Sequence, residues 1–288
     1  MLTNDYFLSL INMSSSNHSS LSQSGTKPRV WEAYALRYAT VARRRIENFI
    51  MHDLHDGPSQ MDYFVWYLQS EGETILVDTG FNQKAADQRK RKFLRCPMKT
   101  LEQAGVPLDS IKETIITHAH YDHAGNIELL PKTQFHLQEK EMNYATGKEM
   151  RYRVCRHAYD PHDVCNLVFA NYEERVAFHE GEYELRSGVS VHLVGGHTRG
   201  LQIVRVFTSR GWIVLASDAA HYLENYLNRS PFPIVTDVAD MIRGYEKIDL
   251  LADSKDHVIS GHDPLTMEMY QRVGPSELEI VSLSNKIK

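Results

Sequence analysis

The chain has 288 residues, of which 42% are hydrophobic and 24% are charged, so it can form one large globular domain or two small ones. A formal net charge of −5 excludes a global positive field that would recruit nucleic acid or another polyanion. The two local basic runs, 43–45 and 89–92, lack the interleaved aromatic residues and repeated glycine of a nucleic-acid surface, and solvated faces are the preferred interpretation.

The first 27 residues are rich in Ser and Asn, which predicts a disordered tail before a folded domain at 28–288. Their apolar run is too short for a signal peptide or a membrane span, so no membrane association is expected. The three cysteines, Cys96, Cys155 and Cys165, are widely spaced and odd in number. This pattern disfavours a disulfide framework and a thiolate zinc site, and it fits a reducing, cytoplasmic location.

Aromatic and aliphatic residues dominate 29–38 and 61–68, and a turn leads from the second segment into a β-branched run at 74–77. These three segments are predicted to be antiparallel strands. Residues 82–94 contain neither Gly nor Pro and predict a surface helix, and a second helix is predicted at 97–104 because proline favours the first helical turn.

The densest cluster of ligand-type side chains follows a predicted buried strand at 114–116, in a loop that runs into the Gly125-Asn126 turn signal. The residues are His118, His120, Asp122 and His123. Such a loop can direct the first two imidazoles to one side and the other two groups to the opposite side, which makes two metal positions. A solvated His-rich turn is disfavoured, because imidazoles that repel one another when protonated need a stabilising partner such as a metal.

Beyond this loop, 133–137 alternates as a strand and 139–145 is predicted to be a short helix, so His136 is interpreted as a strand residue and no ligand. Residues 148–180 are the least regular part of the pattern, with scattered aromatic residues and histidines. Surface packing is the preferred interpretation of this segment, with a lid over the substrate as the alternative.

The second half of the chain returns to strand patterns at 189–194, 203–207, 212–216 and 257–261, with a helical segment at 238–252 before the last of them. The ligand-type residues that follow these strands are His197, Asp218 and His262. Each alone would be a turn residue more often than a ligand, but strands that end repeatedly in such residues are hard to explain by core packing.

Together these residues predict a bimetallic site with room for water on each ion. The first ion would be held by His118, His120 and His197, and the second by Asp122, His123 and His262. Asp218 would bridge the two ions. Two cations that share one water lower its pKa, so that it is a hydroxide nucleophile at neutral pH. Asp78, at the end of the strand at 74–77, either caps a turn or orients one of the ligating imidazoles.

At this point the sequence resembles the metallo-β-lactamase superfamily, whose mark is HxHxDH followed by a separated His, an Asp and a final His. The resemblance spans about 29–269. It implies an α/β fold, an αββα sandwich of two mixed β-sheets flanked by helices, with the metals at the edge between the sheets. Two Zn²⁺ per chain are expected from the nitrogen and oxygen ligands, although iron, manganese or cobalt would fit the same set.

Within the superfamily, the chain is similar to the N-acyl-homoserine lactone lactonases, which are quorum-quenching enzymes. They share its VDTG turn at 77–80, the GHT pattern around His197 and the SDA…EN stretch at 217–225. In the better-known lactonases a Tyr three residues after the bridging Asp contacts the substrate carbonyl. This chain has His221 at that position with Tyr222 beside it, so both are candidates for the donor to the carbonyl oxygen.

The leading hypothesis is a dinuclear-zinc hydrolase in which a bridging hydroxide attacks a lactone carbonyl and Asp122 or a nearby group passes a proton to the departing alkoxide. The expected partner is a small-molecule lactone or ester, and a homodimer is compatible with the resemblance. Common zinc β-lactamases carry Cys or Ser in place of Asp218, so antibiotic hydrolysis is disfavoured. The alternatives are a hydrolase of another ester, thioester or phosphodiester, and a non-catalytic binding module, which would have been free to lose ligands.

Overall fold

Strand β2 (Pro58–Ser70) is buried on both faces over most of its length in the computed structural model, which describes residues 27–51 and 56–285. Phe64 and Trp66 point into the layer between two sheets, whereas Tyr63 and Val65 pack under helices on the other side. This alternation follows from the two-residue period of a strand. A strand with two apolar faces therefore lies in the middle of a layered fold.

Three apolar layers hold the fold together. One lies between the two sheets and includes Trp66 and Ile213, and the other two lie between each sheet and its outer helices. Tyr245 and Ile248 on one helix, for example, cover the outer face of the second sheet. The predicted αββα sandwich is confirmed. The predicted tail at 1–27 falls, apart from Lys27, outside the described residues.

The strands are β1 Glu32–Arg44, β2 Pro58–Ser70, β3 Glu73–Val77, β4 Lys92–Phe93, β5 Glu113–Ile115, β6 Gln134–Gln138, β7 Val176–His179, β8 Glu182–Arg186, β9 Val189–Leu193, β10 Gln202–Thr208, β11 Gly211–Ser217, β12 Val258–Ser260, β13 Gln271–Val273 and β14 Ile280–Ser282. Within the described residues, the first sheet has nine strands in the order β13-β14-β1-β2-β3-β5-β6-β7, with β4 beside β1, and the second has the order β12-β11-β10-β9-β8. Both sheets are mixed, since β3, β5, β6 and β7 pair in parallel and so do β11 and β12.

The helices are α1 Gln83–Arg89, α2 Pro97–Gln103, α3 Tyr121–Ala124, α4 Glu139–Ala145, α5 Arg153–Arg156, α6 Pro161–Tyr172, α7 Leu223–Leu227, α8 Val238–Leu251 and α9 Leu265–Met269. The predicted helix at 82–94 is too long, because Lys90 adopts a left-handed conformation (φ 55°) that ends α1, and the chain then forms β4. Among the described residues, no helix has both the length and the apolar character needed to span a lipid bilayer.

The segment at 148–180 is more regular than the sequence predicted. It contains α6, which begins with Pro161 at its first position and an Asp160 side chain that accepts a hydrogen bond from the amide of His162. Phe169 and Tyr172 on this helix are exposed, with 64% and 85% of their surface open to solvent. The helix was missed because these exposed aromatic residues obscure the apolar stripe that marks an amphipathic helix.

Asp163 in the first turn of α6 gives a prediction about stability. Burial, together with the charges of Asp160 and Glu128, raises the pKa of this carboxyl to about 8. The folded state therefore keeps a proton that the unfolded chain releases near pH 4, and stability is lost as the pH rises towards 8. We expect Asp163→Asn to stabilise the protein at pH 8 by on the order of 2 kcal/mol, since the favourable helix dipole offsets part of the gain.

Urea unfolding of both proteins at pH 5, 6, 7 and 8 measures this effect as a difference that grows with pH. The matched control is Glu102→Gln, which neutralises an exposed acid on α2 and should give a small difference that does not vary with pH. A difference between Asp163→Asn and wild type that is the same at every pH contradicts the prediction.

Four strand ends bring the polar residues of the sequence motifs together. Asp78 follows β3 and the histidine-rich loop follows β5, and these strands are parallel neighbours in the first sheet. Asp218 follows β11 and His262 lies two residues beyond β12, and these strands are parallel neighbours in the second sheet. Because parallel strands end at the same edge, the two sheets deliver their ligand-type residues to one place.

Candidate metal centre

Seven side chains predicted to bind metal lie in two groups, and within each group the potential ligand atoms are all within 4.8 Å of one another. The first group is His118, His120, His197 and Asp218, and the second is Asp122, His123 and His262. All seven are buried. The structure thus brings together residues that are separated by up to half of the chain.

The first group is built around the Nδ1 atom of His120. The Nε2 atoms of His118 and His197 each lie 3.0 Å from it, and the Nε2 atom of His197 also lies 3.1 Å from Oδ2 of Asp218. His120 is the residue before α3, whose first turn determines the direction of the loop. Three imidazole nitrogens that converge at this distance form a donor set suited to a divalent transition metal.

The second group faces the other carboxylate oxygen of Asp218. The Nε2 atoms of His123 and His262 lie 3.1 Å and 3.0 Å from Oδ1 of Asp218, and each lies 3.9 Å from a carboxylate oxygen of Asp122. Oδ1 of Asp218 therefore faces the second group, while its Oδ2 faces the first. This is the arrangement that a bridging carboxylate requires.

Contacts outside the two groups hold three of the imidazole rings in orientation. Nδ1 of His123 lies 2.7 Å from Oδ2 of Asp78, and Nδ1 of His262 lies 2.8 Å from the backbone oxygen of Asp62. Nδ1 of His197 lies 2.7 Å from the backbone oxygen of Ile234. A metal-ligating imidazole commonly donates its second N–H in this way, which leaves the other nitrogen as the ligand. The contact of Asp78 is the one that the orienting interpretation of this residue requires.

Asp78→Asn should weaken zinc binding by roughly ten- to a hundredfold, because it removes the charged acceptor of the His123 ring. Competition between the metal-free protein and a chromophoric chelator measures this affinity. Thermal unfolding of the metal-free variant is the companion measurement, since Asp78 also accepts hydrogen bonds from the amide and hydroxyl of Thr117. Unchanged zinc affinity would leave Asp78 as a turn cap only.

The charges of the first group fit a divalent cation, whereas in the second group the surrounding carboxylates raise the pKa of His123. Burial and the neighbouring imidazoles lower the pKa of His118 and His120 well below the usual value, so both are neutral. Burial alone would raise the pKa of Asp218, but the surrounding imidazoles hold it well below the usual range, so it is ionised. Neutral imidazole and ionised carboxylate are the protonation states that bind metals.

A second observation supports the same donor set. Nε2 of His123 is buried and has no hydrogen-bond partner among the described residues, although it faces the carboxylates of Asp122 and Asp218. These two acids and Asp78 place three carboxylates in one buried cluster. Buried carboxylates need nearby positive charge, which bound divalent metal would supply.

The backbone around Asp218 is strained. Ser217 has φ 45°, a left-handed conformation that non-glycine residues seldom adopt, and its hydroxyl lies 2.9 Å from that of Thr117. Gly261 lies against this turn, where a side chain would collide with the backbone of Ser217. Sequence reasoning missed Ser217 and Thr117, since a small hydroxyl residue beside a ligand has no distinctive pattern.

His221 and Tyr222 face different parts of the structure. Nε2 of His221 lies 3.1 Å from Oδ2 of Asp218, and its ring stacks on Phe232 at a centroid distance of 3.9 Å. The hydroxyl of Tyr222 instead donates to the backbone oxygen of Gln60 at 3.1 Å. The structure therefore places His221 beside the seven ligand-type side chains, where it forms a third group of potential ligands with Asp218 and His262, and directs the Tyr222 hydroxyl to strand β2.

Part of the segment at 148–180 reaches the site. The ring of Tyr159 meets that of His120 edge to face at 4.5 Å, and Tyr159 is buried. His157 and His162 lie elsewhere on the surface, and His179 pairs with His136 at 3.0 Å, away from the ligand groups. This segment thus places the Tyr159 ring beside His120 and accepts a hydrogen bond from the amide of Tyr121 at the oxygen of Ala158, while Leu167 of α6 is buried in the core.

A family model for the metallo-beta-lactamase superfamily matches residues 60–262, which is more than half of the chain and includes all seven of these side chains. The chain belongs to this superfamily. The family resemblance inferred from the sequence is confirmed, and with it the expectation of a metal-dependent hydrolase fold.

Known members of the superfamily resemble this chain over most of its length. An N-acyl homoserine lactonase of a Bacillus species is 29% identical over 189 residues, which cover 60% of this chain and 70% of the relative. A probable metallo-hydrolase of Mycobacterium tuberculosis is 24% identical over 220 residues, covering 69% of this chain and 71% of the relative. The crystal structure of a quorum-quenching N-acyl homoserine lactone lactonase aligns with a TM-score of 0.72 and 22% identity, covering 87% of this chain and 99% of that one.

Proposed function

We propose that this protein is a dinuclear metal-dependent hydrolase that opens the ring of an N-acyl-homoserine lactone or a related lactone. The observation that carries the proposal is the position of Asp218, whose two carboxylate oxygens face two separate histidine groups. One carboxylate that serves two groups supports a pair of ions more than a single tetrahedral ion, which needs only four ligands.

Zinc is the proposed metal, because imidazole nitrogen and carboxylate oxygen are borderline ligands that suit it. The first ion would be held by the first group of side chains and the second ion by the second group, with Asp218 between the two ions. When bound, two such ions supply a water of lowered pKa and polarise the substrate carbonyl. The seven side chains position the ions and exclude other water from them.

Proton transfer is assigned to Asp122. Asp122 is the most exposed of the seven ligand-type residues, with 7% of its surface open to solvent, which favours it over the other six for proton exchange with a substrate. In the reaction, the oxygen of a water molecule bonds to the carbonyl carbon and the ring C–O bond breaks. Asp122 accepts the proton that the water loses and passes it to the departing alkoxide, which yields a hydroxy acid.

The substrate class rests on the relatives. Curated relatives named N-acyl homoserine lactonases match 58–60% of this chain, and one solved structure of that activity, a neighbour at TM-score 0.71, holds the product N-hexanoyl-L-homoserine at its catalytic metal centre. His221 would act on the same substrate as the donor to the carbonyl oxygen, since its ring lies at the ligand cluster.

The deciding experiment combines metal analysis with a substrate screen. Purified protein loaded with Zn²⁺ should hold about two ions per chain, and it should hydrolyse acyl-homoserine lactones faster than aryl esters, thioesters or a phosphodiester. A metal content that never exceeds one ion contradicts the dinuclear site. Preference for a thioester or another ester with two ions bound would keep the site and overturn the lactone assignment.

A further inference from the structure

A buried glutamate connects two of the loops that carry the ligands of the first group. Glu141 lies on α4 with none of its surface open to solvent, and it is not one of the seven ligand-type residues. Its carboxylate accepts four hydrogen bonds. A buried carboxylate with this many donors is held in one position and holds its donors in turn.

The two oxygens of Glu141 are divided between the two loops. Oε1 accepts from the backbone amide of Ala119 at 3.0 Å, which is the residue between His118 and His120. Oε2 accepts hydrogen bonds from the hydroxyl of Thr198 at 2.6 Å and from the amide of Gly200 at 3.0 Å. These two residues lie one and three positions after His197. One side chain therefore sets the separation of the loops that carry three imidazoles.

The fourth donor extends this connection to the ring of His120. The hydroxyl of Tyr159 donates to Oε1 of Glu141 at 2.9 Å, and the Tyr159 ring meets the His120 ring edge to face at 4.5 Å. The Tyr159 side chain, held at its hydroxyl, limits the positions that the His120 imidazole can take.

The close approach of the second loop to Glu141 depends on a glycine. A Cβ atom at Gly200 would collide with the backbone nitrogen and Cα of Glu141. A residue without a side chain is needed at this point for the amide of Gly200 to reach Oε2. The sequence thus has glycine where the loop that carries His197 presses against the helix that carries Glu141.

We propose that Glu141 is a positioning residue that holds the loops of His118, His120 and His197 in the geometry that binds the first metal ion. The proposal rests on the metal site of the proposed function. A glutamine at this position would present an amide NH₂ to one pair of donors, so one of the two loops would lose its acceptor.

The test is zinc affinity measured by chelator competition on metal-free protein. Glu141→Gln should weaken binding of the ion at the first group by roughly ten- to a hundredfold, as expected for a residue that hydrogen-bonds around metal ligands. Glu139→Gln is the matched control, because it makes the same change at an exposed position of the same helix and should leave zinc affinity unchanged. The absorption spectrum of the cobalt(II)-substituted protein should change for Glu141→Gln alone, since it reports the ligand geometry.

Thermal unfolding of the metal-free proteins separates positioning from a general loss of stability. A Glu141→Gln variant that is less stable but binds zinc with wild-type affinity and an unchanged cobalt spectrum overturns the proposal. If that variant does not fold, Thr198→Val and Tyr159→Phe each remove one donor and should each weaken zinc binding several-fold, and unchanged affinity in both also overturns it. Wild type that binds only one ion contradicts the dinuclear site and leaves this test intact, whereas wild type that binds none contradicts both proposals.

Discussion

Asp218→Asn should reduce the zinc content from about two ions per chain to one or fewer, because the change removes the negative charge that faces both histidine groups. Turnover of the best lactone should fall by more than the roughly ten- to hundredfold typical of an outer-shell partner, since Asp218 is placed to bind the ions directly. The measurements are elemental analysis after removal of loosely bound metal and kcat on the loaded protein. Asn has the size of Asp, so the packing of the buried site is conserved.

Asp87→Asn is the matched control for this experiment, because Asp87 is an exposed residue of α1 that is far from the ligands in the sequence. It should keep both ions and wild-type turnover. Two tightly bound ions in Asp218→Asn, with kcat near the wild-type value, would contradict the bridging role. Loss of both metals together with loss of the folded state would call for analysis of the metal-free proteins by circular dichroism before the stoichiometry is interpreted.

His221→Ala should lower kcat on the order of a hundredfold while both ions remain bound, the usual loss when a donor to a developing oxyanion is removed. His221 is preferred because its Nε2 atom lies beside Asp218, whereas the hydroxyl of Tyr222 donates a hydrogen bond to the backbone oxygen of Gln60. Tyr222→Phe should leave kcat almost unchanged and cost about 1 kcal/mol of stability, the value of one hydrogen bond. Steady-state kinetics with metal analysis on the same samples measures both.

His221→Gln serves as the conservative variant, because a glutamine can present an N–H group near the position of Nε2 and should recover part of the lost turnover. A large fall in kcat for Tyr222→Phe, with little effect of His221→Ala, would move the role to Tyr222. If neither variant changes kcat, the oxyanion is stabilised without a side-chain donor. If His221→Ala loses a metal ion, His221 is a ligand, which its distance of 3.1 Å from Asp218 would also permit.

Local sequence was sufficient to predict the histidine-rich loop and the strands that end in ligand-type residues. Four ligand-type residues within six positions remain close together in any fold, and the run at 114–116 marked the strand that supports them. The family resemblance could be recognised for the same reason, because the spacing of these residues is a property of the chain itself, and the αββα sandwich was what that resemblance implied.

Contacts between distant segments could not be predicted, because they depend on how the elements pack. Glu141 bonds to Ala119 and Thr198, which are 22 and 57 positions away, and in the sequence it is an ordinary glutamate of a short helix. The helix α6 was missed because Phe169 and Tyr172 are exposed and so mask its apolar stripe.

The choice of His221 over Tyr222 as the donor to the carbonyl oxygen also depended on packing and could not be made from local sequence. Both residues were candidates in the sequence, and the alternation of a strand could not separate them, because β11 ends at Ser217 with a left-handed turn. Their directions depend on Phe232, which stacks on His221, and on Gln60, which accepts from Tyr222. The sequence by itself determined which residue types gather at the strand ends, since motif spacing is local. Only the tertiary structure decided which atoms face one another, because that depends on packing between the two sheets.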